Sequence, residues 1–158
     1  PYENQDSTDC VAYPVRMKKL LVPIDGSGAA LRALDQAIAL ARLSPGCSIV
    51  LVHTHEEPLI YGEIAVYVPR PKMAELQRQH SEDILVTAKA KLKDTGIPYT
   101  VEVLIGPTAQ TIAEHAEQIG CDAIVMGRHG KSALSEILVG SVAMKVLHAS
   151  KLPVMLVR

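Results

Sequence analysis

Residues 18–43 read KKLLVPIDGSGAALRALDQAIALARL, and this stretch decides the fold. Its first part is a continuous apolar run that stops at Asp25-Gly26-Ser27-Gly28. From Ala30 to Leu43 the apolar residues then recur at helical spacing. A strand, a turn and a helix are expected in that order. Because the apolar run does not alternate with polar residues, both faces of the strand should be buried.

The pattern repeats along the chain. SIVLVHT, Ser48 to Thr54, is a second apolar strand, introduced by Pro45-Gly46 and running into Glu56-Glu57-Pro58. Leu59 to Pro71 carries Tyr61, Tyr67 and two prolines without a period, so it reads as a long excursion of the kind that often serves function. Lys72 to Lys93 restores a helical pattern. YTVEVLI, Tyr99 to Ile105, is a third strand, and Gly106-Pro107-Thr108 leads into a helix through Ala116, with Thr108 as candidate N-cap. CDAIVMG, Cys121 to Gly127, is the fourth strand; a glycine-containing turn follows, Glu136 to His148 reads as helix, and PVMLVR closes as the fifth strand. Strands alternating with helices require right-handed crossovers. The expected class is therefore α/β: a doubly wound, Rossmann-like parallel sheet of five strands with helices on both faces.

A single domain is expected over residues 17–158. The first sixteen residues, PYENQDSTDCVAYPVR, are polar and aperiodic and contain two prolines, so they read as a disordered or tag-like tail. An added tag, a misplaced start and a genuine extension all remain open for it. The apolar share of 48% against 21% charged residues belongs to a soluble globular protein. A formal charge of −1 lacks the basic footprint of a nucleic-acid binder. No apolar run approaches the roughly 20 residues a membrane helix needs, and no secretory signal opens the chain, so a cytoplasmic protein without membrane or nucleic-acid partners is expected. Cys10, Cys47 and Cys121 form an odd set without metal-ligand spacing, which suits a reducing compartment; Cys47 and Cys121 lie beside strands, where a small buried thiol is the ordinary reading.

Ligands of such sheets bind outside the carboxyl ends of the strands, where strand order reverses. If the first and fourth strands flank that point, the loops Asp25 to Gly28 and Gly127 to Ser135 share one crevice. Gly127 and Gly130 can take positive φ and admit a ligand close to the backbone. Gly140 lies in an otherwise helical stretch, where glycine costs about 1 kcal/mol against alanine. A helix beginning at Gly140 would explain it, since free N–H groups, the helix dipole and the Ser141 hydroxyl make an anion site, with Arg128 or Lys131 adding charge. The alternative is that Gly127 and Gly130 shape a tight turn and Gly140 permits close helix packing. Neither P-loop spacing nor GxGxxG is present.

Gly127-x-x-Gly130, nine residues, then Gly140-Ser141 resembles the ATP-binding motif of the universal stress protein family. KKLLVPIDGS, the VHT ending of the second strand and KLPVMLVR are similar to that family too, so the resemblance spans everything after Met17. It implies strand order 3-2-1-4-5, ATP binding by members that carry the motif, and homodimers pairing through the last strand; other members lack the motif. It further implies that Gly127, Gly130, Gly140 and Ser141 contact phosphates and ribose and that Val142 adds a backbone donor; Met126 and His129, adjoining these glycines, are further candidate binding residues. Pro23 and Asp25 would line the nucleoside side and Thr54 the edge of the adenine pocket. The implied cofactor is ATP, with AMP or ADP as alternatives, and Mg²⁺ carried by the nucleotide; no metal cage and no catalytic residue is assigned.

Asp25 before Gly-Ser is also an ordinary turn former, with ligand contact the preferred reading. His53 and His55 show no carboxylate partner and read as structural or solvent-facing. His129 either hydrogen-bonds phosphate or faces water. The expected function is an ATP-binding stress-response regulator with little or no hydrolysis, whose nucleotide orders residues 127–139 and 59–71 for an unidentified protein partner. The alternatives are a ligand-free dimeric interaction module and, ranked lower, a slow ATPase or phosphotransfer enzyme using Asp25, His129 and Lys131.

Overall fold

The computed structural model describes residues 16–56, 70–130 and 139–158. The expectations placed on most of the N-terminal tail, Cys10, the excursion up to residue 69, Lys131 and the stretch 131–138 lie outside the described residues.

The apolar runs form strands because their side chains have somewhere to go on both sides. β1 (Lys19–Pro23), β2 (Ser48–His55) and β4 (Ala123–Gly127) are central, and Leu20, Leu21, Val22, Leu51, Val52, Ile124 and Val125 are fully excluded from solvent. β3 (Tyr99–Ile105) and β5 (Val154–Val157) form the edges, and their residues are half-buried or exposed. All neighbours pair in parallel in the order β3-β2-β1-β4-β5, as the sequence analysis expected.

The helices occupy opposite faces. α1 (Gly28–Leu43) buries Ala33, Leu34, Ala37 and Ala41, and α2 (Arg70–Lys93) buries Leu85, Ala88 and Leu92, against Leu20, Val22, Ile49 and Leu51. On the other face α3 (Thr108–Gln118) and α4 (Ser141–Ala149) set Ile112, Ala116, Ala143 and Val146 against Leu21, Val50, Val52 and Ile124. Adjacent strand residues thus feed different cores, as a pleated strand requires.

Several boundaries differ from expectation. α2 starts at Arg70 rather than Lys72: Pro71 was read as part of the excursion, but proline has no N–H to lose in a helix's first turn. Thr108 is not an N-cap. Pro107 holds that position without a side-chain cap, and Thr108 is the first helical residue. The last helix does not run through Gly140. Val139 and Gly140 are non-helical, Gly140 is the N-cap at φ −64° and ψ 153°, and the helix begins at Ser141. Cys47 and Cys121 are buried thiols, with burial pushing Cys121 up to about 11 and Cys47 upward as well, which makes both poor nucleophiles.

Leu51 sits in the central strand with 0% exposure, whereas Val103 on the edge strand is 42% exposed. Leu51→Ala should cost about 2–5 kcal/mol of unfolding free energy and Val103→Ala under about 1 kcal/mol, read from urea midpoints at unchanged slope. Comparable losses would mean that the edge strand is covered in solution.

Candidate functional site

Strand order reverses at β1, which lies between β2 and β4. The carboxyl ends of β1, β2 and β4 and the starts of α3 and α4 enclose a cleft of about 530 Å³, within the range that holds small ligands.

β1 supplies Pro23, Ile24 and Asp25. Ile24 is buried, and its N–H donates to the Val52 carbonyl at 2.8 Å. Asp25 does the work of a turn former: its Oδ1 accepts from the Ser27 N–H at 2.9 Å, across Gly26 at φ 78°. Ser27 caps α1, its hydroxyl accepting from the Ala30 N–H at 3.1 Å. Of the loop 25–28, only Asp25 lines the cleft; Gly26 borders a smaller cavity of about 250 Å³ with His80 and Asp83 on the α2 side.

β2 supplies Val52, His53 and the half-buried Thr54. His53 is 7% exposed, and its Nδ1 lies 2.8 Å from the Ile24 carbonyl. A carbonyl only accepts, so Nδ1 carries the hydrogen and the lone pair of the neutral ring is on Nε2. Burial lowers the ring's pKa. The Ile24 hydrogen bond opposes that, His55 and His80 reinforce it, and Asp25 opposes it more weakly.

β4 and the turn after it contribute Met126, Gly127, Arg128, His129 and Gly130, and the α4 side Val139, Gly140, Ser141, Val142 and Ala143. All ten residues implied by the resemblance therefore line one cleft. The reason for the glycines differs from expectation: none of Gly127, Gly130 and Gly140 has positive φ. At Gly127 the protein's own backbone comes too close for a side chain, and at Gly130 and Gly140 the neighbouring atoms would have to give way. A Cβ on Gly127 would stand 2.7 Å from the Ala29 backbone carbon, one on Gly130 2.9 Å from Asp25 Oδ2, and one on Gly140 3.1 Å from the Arg128 carbonyl oxygen.

Nor do all the motif amides face a ligand. The Gly140 N–H donates to the Arg128 carbonyl at 2.7 Å, and the Arg128 N–H to the Val157 carbonyl at 2.9 Å. The first intrahelical bond of α4 runs from the Met144 N–H to the Gly140 carbonyl, so Ser141, Val142 and Ala143 make up the helix's opening turn, whose amides have no acceptor within the helix. His129 is half-buried rather than turned to water, and its Nε2 is enclosed without a hydrogen-bond partner among the described residues. No group of three or more metal-ligating side chains occurs among the described residues.

Sequence reasoning missed several walls of the cleft. Ile24, Ala30, Val52, Thr108 and Ile112 line it, and His53 was read only as structural or solvent-facing. Thr108 and Ile112 stand four residues apart on one face of α3, a spacing visible in the sequence. What places that face over β2 is the packing of α3 beside α4.

The cleft and fold can be set beside known proteins. The family model described as "Universal stress protein family" matches residues 17–158. Universal stress protein YxiE of Bacillus subtilis is 34% identical over 89% of this chain and 98% of its own length. The solved structure of MJ0577, a protein of Methanocaldococcus jannaschii, superposes with a TM-score of 0.78 at 31% identity, over 90% of this chain and 96% of that one. A universal stress protein of Archaeoglobus fulgidus, solved in complex with dAMP, has the same fold at a TM-score of 0.61 and 23% identity, over 91% and 99% of the two chains.

The lowered proton affinity of His53 gives a pH signature. Below the ordinary imidazole value of about 6.5, the unfolded chain takes up a proton that the folded ring refuses. Stability should therefore fall as pH drops below about 6.5 and be independent of this group above it. Urea midpoints of the parent chain and His53→Asn between pH 5 and 8 check this: the parent should show the steeper acid loss, and equal slopes would place the titration elsewhere.

Proposed function

Because the chain belongs to the universal stress protein family, we propose that it is a cytoplasmic regulatory protein that holds an adenine nucleotide, ATP in the first instance, in the cleft outside β1, β2 and β4 and hydrolyses it slowly or not at all. The supporting observation is the division of the cleft into two chemically different ends. Ile24, Val52, Ile112 and Met126 are buried apolar side chains suited to a base, and Thr54 borders them. The opening turn of α4 offers amides and the positive end of a helix dipole to phosphates, with Ser141 exposed beside them. Asp25 stands where a ribose hydroxyl could donate to its carboxylate, and Mg²⁺ accompanies the phosphates. The dAMP complex of the Archaeoglobus relative supports an adenine ligand in this fold. A second copy pairs along β5, whose Met155 is 41% exposed at the sheet edge.

Part of the polar chemistry of the cleft is already used by the fold. The Asp25 carboxylate accepts a turn amide, and His53 Nδ1 is committed to a carbonyl. Asp25 Oδ2 and His53 Nε2 remain as the atoms a water-activating role would need, and turnover of ATP at ordinary enzyme rates by the purified chain would overturn the slow reading.

One observation favours a second reading. Gly127, Gly130 and Gly140 are each explained by contacts within the protein, which is what a ligand-free interaction module would also need. Ser141→Glu separates the two. A carboxylate in the first turn of α4 complements the dipole, so stability should hold or rise by about 0.3–1 kcal/mol. The same charge repels phosphates, so ATP affinity measured by titration calorimetry should fall roughly tenfold or more. Undiminished affinity would move the phosphates away from α4. Absence of ATP binding by the parent chain, with no nucleotide released from freshly purified denatured protein in mass spectrometry, would leave the ligand-free module.

A further inference from the structure

β1 ends at Pro23, and the next residue is held from both sides by β2. The Ile24 N–H donates to the Val52 carbonyl at 2.8 Å, and its carbonyl accepts from His53 Nδ1, also at 2.8 Å. The second of these is made by a side chain, from a residue that is 7% exposed and cannot easily turn elsewhere. Because a peptide unit is planar, fixing the Ile24 carbonyl also fixes the nitrogen and Cα of Asp25.

Asp25 is then constrained on its other side. Its Oδ1 takes the Ser27 N–H at 2.9 Å, and Oδ2 lies against Gly130, 2.9 Å from where a Cβ would stand. The Ile24 carbonyl fixes the backbone orientation before Asp25, and the His53 ring holds that carbonyl. Other titratable groups facing the ring are His55 on β2, with ring centroids 6.4 Å apart, His80 on α2, and Asp25 itself. The Nδ1–H bond to Ile24 exists in both the neutral and the protonated ring.

We infer that His53 is a positioning residue: by clamping the carbonyl of Ile24 it holds the Asp25 carboxylate where the hydroxyls of a bound ribose can donate to it. The inference rests on the nucleotide reading of the cleft and adds to it a device for telling a ribose from a sugar without hydroxyls. His53 acts through the main chain rather than by touching that sugar.

The test compares binding of ATP and 2′,3′-dideoxy-ATP by calorimetry. The parent chain should prefer ATP by roughly tenfold, the worth of a hydrogen bond to a charged acceptor. Asp25→Ala should lose that preference. His53→Leu, which removes the donor at similar volume, should lose it too, with ATP affinity falling by roughly tenfold more than dideoxy-ATP affinity, and the double variant should lose no further preference. His53→Asn, whose amide nitrogen stands near the place of Nδ1, should restore the preference. If the leucine variant fails to unfold cooperatively in urea, His53→Gln replaces it, since its amide lies beyond the carbonyl and should behave as leucine does.

Equal weakening of both ligands by His53→Leu, additive losses in the double variant, failure of asparagine to rescue, or a parent without preference would each overturn the inference while ATP binding itself stands. A parent chain that binds no ATP overturns the nucleotide reading and this inference with it.

Discussion

The hydrogen bond from the Gly140 amide to the Arg128 carbonyl, at 2.7 Å, is the constraint on which the cleft depends. It brings the chain back to the end of β4 immediately before α4 begins, so the start of that helix is set by the sheet rather than by the residues between. The contact is close enough that a Cβ at position 140 would stand 3.1 Å from the Arg128 carbonyl oxygen. An α-helix turns by about 100° per residue, so a start shifted by one residue would swing the opening amides away from the cleft. Gly127 does similar service on the other face, where its missing Cβ lets Ala29 and the start of α1 lie against β4.

These contacts change what the glycine spacing means. The sequence analysis reserved two explanations, ligand approach and internal packing, and treated them as competitors. In the structure the glycines are packed against protein atoms and also border the cleft. Internal contacts that exist before any ligand arrives leave less ordering to be done on binding, which is the usual benefit of a preformed site. The packing explanation therefore supplies the means by which a ligand site can be rigid.

The fold was legible wherever burial leaves a pattern. Continuous apolar runs at β1 and β2 announced strands covered on both faces, and YTVEVLI announced a third strand with the bounds it has. Helix starts were less legible, because they are decided by backbone demands that side-chain periodicity does not carry. Pro71 looked like a breaker but suits a first turn, and the apolar residues before Gly140 hid the true start of α4. In the cleft, residues of the glycine-rich turn could be found from spacing. Thr108, Ile112 and the role of His53 could not, because each depends on an element far away in sequence: α3 laid beside α4, and β2 laid beside the end of β1.

The polar side chains of the cleft were visible as residue types but not as commitments. For Asp25 ligand contact was preferred over the role of turn former, and His53 read as structural or solvent-facing. The structure uses one carboxylate oxygen for the turn and leaves the other beside Gly130, so the turn role does not use up the carboxylate. A group already fixed by the protein's own amides and carbonyls can orient a ligand at little further entropic cost. The same hydrogen bonds tie both groups into the fold, Asp25 to the turn that starts α1 and His53 to the junction of β1 and β2. A cleft built this way is set by the fold before any ligand arrives, and that preorganisation is what a tight binding site requires.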